Sequence, residues 1–344
     1  MSVRVGILGA TGAVGQRFVQ LLEDHPTFDI AAVTASPESA GERYRDAAKW
    51  RVDTPIPDGV AEMRVRETAV DSLPDDLDLL FSSLPSGVAA EIEPELCRAG
   101  YVVSSNSSNE RMAEDVPLTI PEVNPDHLAL IDTQREERGW DGALVKNPNC
   151  STITMVPTLA ALDAFGLQRV HVATLQAVSG AGYSGVTSME IIDNVLPHIG
   201  GEEAKMETES RKLLGDVEDG GLTLHDVDVA ASCNRVPSLD GHLENVFAEL
   251  AENPDAAAVH EALASFDGID LPSAPAEPIF VFDDPERPQP RLDRMRGQGM
   301  QISAGGLRET PQGVQYNCLA HNTIRGAAGA SILNGELLVE DGWV

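Results

Sequence analysis

The sequence predicts an α/β chain: a Rossmann-type doubly wound parallel sheet, followed by an α+β unit whose sheet is mostly antiparallel. Three observations predict it. The chain opens on a short β-branched run that meets a glycine-rich turn and then a helical period. Strand-like apolar runs and helical patterns then alternate as far as Lys146, as βαβ units do. After Cys150 the texture changes to longer alternating runs, which suit a sheet with one solvated face.

Val3 to Leu8 is the first strand, Gly9-Ala10-Thr11-Gly12-Ala13-Val14-Gly15 the turn, and Val14, Phe18, Leu21 and Leu22 mark the helix behind it. Ile30 to Ala35 and Leu77 to Ser82 are further strands, and a helical pattern runs from Val88 to Cys97. Tyr101 to Ser104 and Ala143 to Lys146 complete the first unit. Beyond it we expect a helix from Ser151 to Ala164, a strand from Val170 to Val178, a glycine-rich loop, and a strand from Leu243 to Leu250. The stretch from Ala251 to Pro290, rich in Ala, Pro and Asp, reads as surface loops with a short helix. Thr323 to Leu338 is helical in pattern and is expected to return to the first unit.

The 344 residues carry 24 Lys plus Arg against 55 Asp plus Glu, a formal charge of −31. Such a surface repels a polyanion, which excludes a nucleic-acid binder that works by bulk electrostatics. Only four of the basic residues are lysines: Lys49, Lys146, Lys205 and Lys212. Acid excess with scarce lysine points to adaptation to high salt, where screening removes the cost of self-repulsion. No apolar run is long enough to span a membrane, and the N-terminus enters a strand directly, so neither a span nor a signal peptide is expected and a cytoplasmic location is. Cys97, Cys150, Cys233 and Cys318 are widely spaced, which argues against a disulfide framework and against a zinc site, and no metal is expected.

A strand, glycine turn and helix in that order form a dinucleotide fingerprint: the glycines let backbone approach a pyrophosphate, and the helix N-terminus aims its N–H groups at it. Gly9, Thr11, Gly12, Ala13, Val14 and Gly15 are the candidate cradle. The second strand ends in Thr34-Ala35-Ser36 rather than in an acid, which leaves room for a 2′-phosphate and favours NADP over NAD, with Ser36 and Ser39 as donors. Glu38 opposes this if it points inward; Arg43 and Arg45 could compensate, or Glu38 could face solvent. Ser83 sits at the carboxyl end of a sheet strand, where doubly wound folds bind ligands.

Asn147-Pro148-Asn149-Cys150-Ser151-Thr152 sets a cysteine between a strand end and a helix start. The helix N-terminus should lend that thiol thiolate character and make it a nucleophile. The other three cysteines read as small buried hydrophobes.

Several motifs, in order and spacing, identify a resemblance that covers essentially the whole chain: GATGAVGQRF, SSNSSNERM with VPLTIPEVN, NPNCST, LQAVSGAGYSG, IGGEEAKMETES, CNRVPSLDGHLE and HNTIRGAAGAS. The chain resembles the aspartate-semialdehyde dehydrogenases of archaeal and fungal type. The resemblance implies a dinucleotide-binding domain over 1–149, a catalytic and dimerisation domain over 150–322, and a C-terminal helix over 323–344 that returns to the first. It implies that Cys150 attacks aspartyl 4-phosphate, expels phosphate and forms a thioester, which NADPH reduces to aspartate 4-semialdehyde for the synthesis of Lys, Met, Thr and Ile. By the same resemblance His242 is the general acid/base and Gln176 a neutral amide beside the intermediate. Arg235 would hold the α-carboxylate, Glu202 the α-ammonium, and Arg111 and Lys205 the phosphate. Ser179, Gly180 and Asn322 would touch the nicotinamide end, and the assembly would be a homodimer or homotetramer. Two alternatives stay open: a malonyl-CoA reductase-like enzyme of the same fold, and a dinucleotide sensor without catalysis.

Overall fold

The computed structural model describes residues 2–183 and 185–344. Its first sheet holds β1 (Val3–Leu8), β2 (Phe28–Ala35), β3 (Arg66–Glu67), β4 (Leu79–Ser82), β5 (Val102–Ser105) and β6 (Ala143–Lys146), in the spatial order β3-β2-β1-β4-β5-β6 and all parallel. Every residue of β4, β5 and β6 is buried, as a sheet covered on both faces requires. Helices α1 (Ala13–Leu21), the single turns α2 (Tyr44–Ala47) and α3 (Asp58–Ala61), α4 (Ser86–Arg98) and α5 (Leu130–Arg138) lie between the strands. Strand order reverses between β1 and β4, so the crevice at their carboxyl ends is where such a sheet binds ligand.

The second sheet is built from β7 (Leu167–Gln176), β10 (Asp228–Arg235), β11 (His242–Leu250), β12 (Ile279–Phe282), β13 (Ile302–Thr310) and β14 (Gly313–Ala320), in the order β10-β7-β11-β14-β13-β12. Its three inner ladders are antiparallel, and the two outer ones, β10 with β7 and β12 with β13, are parallel. The sheet is therefore mixed, because both outer strands are reached by long crossovers. Between β7 and β10 the chain makes the single turn α7 (Ser188–Ile191), helix α8 (Glu202–Leu213), and a hairpin of β8 (Asp216–Glu218) and β9 (Gly221–Thr223). Helix α9 (Ala256–Ala264) is the short helix expected after Ala251; the turn α10 (Pro290–Asp293) follows β12.

Helix α6 (Cys150–Asp163) joins the two halves. Met155, Leu159 and Leu162 pack into the core under the second sheet, while Ile153 and Val156 meet Leu118, Ile120 and Ala330. After β14 a π turn (Ile324–Ala328) leads into α11 (Gly329–Glu340). Ala328, Ile332, Leu337 and Leu338 enter the core of the first sheet, so the chain end closes the first unit. Among the described residues no helix is long and apolar enough to cross a membrane.

Candidate active site

The glycine turn is shaped by contact rather than by freedom alone. Gly9 has φ +76, and a Cβ on Gly15 would stand 2.2 Å from the Gly9 carbonyl oxygen. Gly12 is the N-cap of α1 with no side-chain cap, and the first turn holds no acid, so the helix N–H groups remain available to an anion. Ala13 and Val14 line the cleft beside Cys150. Beneath the turn, the buried Gln16 donates to the Thr11 and Lys49 carbonyls at 2.9 and 3.2 Å, while its oxygen accepts from Arg51 N–H and the Tyr183 hydroxyl, both at 2.9 Å. A loop of the second half is thereby tied to the cradle.

Two expected cofactor donors are already engaged. The Ser83 hydroxyl donates to the Leu8 carbonyl at 2.9 Å, so it secures the turn rather than facing a ligand. Glu38 is exposed, and a hydrogen bond from Ser36 holds its carboxyl below the usual range; Ser39 is partly buried. Arg43 and Arg45 both pair with Glu62 and offer Glu38 no compensation.

Cys150 is the first residue of α6. The Asn149 side-chain oxygen caps the helix by accepting from Ser151 and Thr152 N–H at 3.0 and 3.2 Å. Three neighbouring strand ends bring the remaining chemistry to the sulfur. Arg235 and Gln176 are register partners at the ends of β10 and β7, and His242 begins β11 on the other side of β7. His242 Nε2 stands 3.3 Å from Cys150 Sγ, and its Nδ1 accepts from the Ala177 N–H at 3.1 Å. Because that amide hydrogen occupies Nδ1, the neutral ring carries its proton on Nε2, toward the sulfur.

The electrostatics depart from the expected preformed thiolate. Burial, then the charge of Glu202, push the thiol up to about 12 against the pull of Arg235 and Arg111. Burial, with Arg235 and His321 nearby, lowers the imidazole to about 3. Desolvation outweighs the helix terminus, so thiol and ring are both neutral. The imidazole expected to exchange protons is thus presented as a hydrogen-bond donor.

Helix α8 supplies the charged wall. Glu202, Lys205, Glu209 and Lys212 recur at helical spacing on its inner face. Glu202 accepts from Lys205 and Asn149 Nδ2, both at 2.8 Å, and lies 3.5 Å from Gln176 Nε2. Burial raises its carboxyl, but Lys205, Asn149 and Gln176 outweigh burial and hold it below the ordinary value. Arg111 pairs with Glu209 at 2.9 Å and donates to the Asn106 carbonyl at 2.7 Å. Arg235 donates to the Ala177 carbonyl at 2.8 Å. Two of the three expected anion-binding cations are therefore ion-paired.

The cleft, about 330 Å³, is lined by Ala13, Asn106, Ser107, Arg111, Cys150, Ser179, Gly180, Glu202, Lys205 and Asn322. Gln176, Arg235 and His242 are buried against it; Ser36 and Ser39 lie apart, beyond the end of β2. Asn322 accepts from Gly241 N–H at 2.9 Å and donates to the Ser179 hydroxyl at 2.8 Å, so it braces the start of β11 against the loop. A Cβ on Gly180 would come within 2.7 Å of the Arg235 guanidinium, and one on Gly326 within 2.7 Å of Cys150 Cβ. Among the described residues no cluster of three or more His, Cys, Asp or Glu could hold a metal.

Gln16, Glu209 and the buried pair Lys146–Glu93 serve the site without belonging to any pattern that marks them in the sequence. Lys146 Nζ lies 2.5 Å from Glu93 and 2.8 Å from the Ser107 hydroxyl, at the base of the cleft. The spacing of 202, 205, 209 and 212 was the available signal for Glu209, masked in an acidic chain by its likeness to a solvated helix face.

Comparison with known proteins adds an independent line. Residues 4–131 match the family model described as semialdehyde dehydrogenase, NAD binding domain, and residues 159–325 that for its dimerisation domain. The aspartate-semialdehyde dehydrogenase of Methanothermobacter thermautotrophicus is 50% identical over 346 residues, covering 98% of this chain and 99% of its own. That of Schizosaccharomyces pombe is 46% identical over 354 residues, covering 98% of each. The crystal structure of the Candida albicans enzyme with NADP superposes with a TM-score of 0.92 at 39% identity, covering 100% of both chains.

Proposed function

The chain belongs to the aspartate-semialdehyde dehydrogenase family, and from that premise we propose that it reduces L-aspartyl 4-phosphate to L-aspartate 4-semialdehyde, reversibly, with NADPH, in the synthesis of Lys, Met, Thr and Ile. One observation carries the reading: the Cys150–His242 pair opens on a cleft with the glycine turn on one side and the α8 charges on the other. The uncapped N-terminus of α1, and the close packing of the turn on it that only glycine at 15 permits, fit a pyrophosphate, and a bound NADPH supplies the hydride that reduces a thioester. Gly9, Thr11, Gly12, Ala13, Val14 and Gly15 would hold it, with Ser179, Gly180 and Asn322 near its nicotinamide end and Ser36 and Ser39 near the 2′-phosphate.

The substrate completes the electrostatics. An α-ammonium at Glu202 cancels one of the charges that keep Cys150 protonated, and Lys205, released from Glu202, can turn to the phosphate with Arg111. Arg235 takes the α-carboxylate. As the sulfur attacks the acyl carbon, the thiol proton leaves with the phosphate as hydrogen phosphate. His242 Nε2–H and the Gln176 amide stabilise the carbonyl oxygen as charge builds on it, and the oxyanion formed after reduction collapses by expelling the Cys150 thiolate. Glu202 favours an aminated substrate over a malonyl thioester, which has no ammonium to offer it. The deciding assay compares oxidation of aspartate semialdehyde with phosphate and NADP against reduction of a malonyl thioester with NADPH; absence of the first activity sinks the assignment.

We also infer a homodimer or homotetramer in the cytoplasm. Met189, Ile192 and Val195, 89%, 67% and 50% exposed on the segment between β7 and α8, support contact with a second copy. Adaptation to high salt is supported by where the lysines lie: Lys146 and Lys212 are fully buried and Lys205 faces the cleft, so only Lys49 is on the outer surface.

A further inference from the structure

We propose that Glu209 is a positioning residue of the phosphate subsite, acting through Arg111; the inference rests on the role of Arg111 proposed above. Glu209 is 2% exposed and spends both oxygens. One accepts from Arg111 Nη1 at 2.9 Å, and the other from the backbone N–H of Asn149 at 2.6 Å. A single carboxylate therefore spans the guanidinium and the residue that caps the nucleophile's helix.

Arg111 is otherwise held by the Asn106 carbonyl at 2.7 Å, and its Nε is buried with no partner. Glu209 fixes which edge of the planar fork is spent on the protein and which is left for an anion. From the next turn of α8, Lys212 donates to the carbonyls of Ala113 and Val116 at 2.6 and 2.7 Å, holding the segment just after Arg111. A carboxylate is needed here because both of its neighbours donate. In Glu209→Gln, the single amide oxygen can serve only one of them, and the NH₂ group then meets the other donor-to-donor. The Asn149 peptide is fixed in the backbone and the arginine is not, so Arg111 is the partner displaced.

The test uses the full chain and reads phosphate twice: as the KM for phosphate in oxidation of aspartate semialdehyde, and as the concentration at which phosphate protects Cys150 from alkylation by iodoacetamide. The second readout needs no turnover. Thermal unfolding checks that each variant is folded. We expect Glu209→Gln to weaken phosphate about tenfold in both readouts, which is about 1.4 kcal/mol, with the KM for the semialdehyde nearly unchanged. In an Arg111→Ala background the same substitution should add nothing to the protection constant. An unchanged phosphate dependence, equal weakening of semialdehyde and phosphate, or an equal increment with and without Arg111 each overturns the proposal. A parent enzyme with no phosphate-dependent oxidation of the semialdehyde would instead overturn the proposed function.

Discussion

Gly326 stands closer to Cys150 than any side chain could. A Cβ there would lie 2.7 Å from Cys150 Cβ and 3.2 Å from its Cα, whereas carbon pairs rest at about 3.5–4.0 Å. Gly326→Ala must therefore part the π turn from the start of α6 by roughly 1 Å. Overpacking of that kind costs about 1–3 kcal/mol of stability, and a displacement of ~1 Å at the reacting group costs about a hundredfold in rate. Neither segment can yield easily, since Thr154 holds the Cys150 carbonyl at 2.8 Å and Arg325, next to Gly326, is locked to Glu122 at 2.6 Å. Urea unfolding should register the first cost and kcat the second, while cofactor affinity, followed by NADPH fluorescence, changes much less. A Gly326→Ala enzyme with kcat within about twofold of the parent would refute the claim that this glycine sets the position of the sulfur.

Cys150→Ala should abolish turnover while NADPH still binds; an active variant excludes Cys150 as the nucleophile, and an inactive parent would favour the sensor reading. Glu202 is held below the ordinary glutamate value of about 4.3 in the folded chain. The folded state then binds fewer protons than the unfolded state below that pH, so stability is fully present above about 4.3 and is lost as acid protonates the group. Glu202→Gln should flatten the acid limb of a stability curve, and an unchanged or steeper limb contradicts the ion pairing described. Glu38→Gln weakens the hydrogen bond that holds Ser36 and removes a negative charge from the expected 2′-phosphate position, so kcat/KM should rise severalfold with NADPH and stay level with NADH; equal change for both cofactors would place Glu38 away from that phosphate.

The first unit was largely legible because parallel strands buried on both faces leave continuous apolar runs. β1 and β6 fall at the expected bounds and β2, β4 and β5 within about two residues, whereas the two-residue edge strand β3 is too short to leave an apolar run. The strands from 279 to 320 were not anticipated. β13 passes through Gly305 and Gly306 and ends in Arg308-Glu309-Thr310, and its pairing with β14 depends on partners that no local window contains. The cluster around Cys150 was readable through its motifs, whereas its charge state was not. A helix start predicts a lowered thiol, but burial between two cores and the nearness of Glu202 are tertiary facts. The same holds for His242, whose tautomer is set by the backbone of Ala177, a group with no signature in the sequence.

The placement of the lysines has a practical consequence. Lys146 and Lys212 are sealed in the interior with carboxylate and carbonyl partners, and Lys205 is held by Glu202. Among the lysines, an amine-directed reagent would meet Lys49 first and, in the folded protein, almost alone. Conjugation through lysine side chains, usually scattered over a protein surface, would here approach a single address on the first unit. Slower capture of Lys205 would report how often its bond to Glu202 opens.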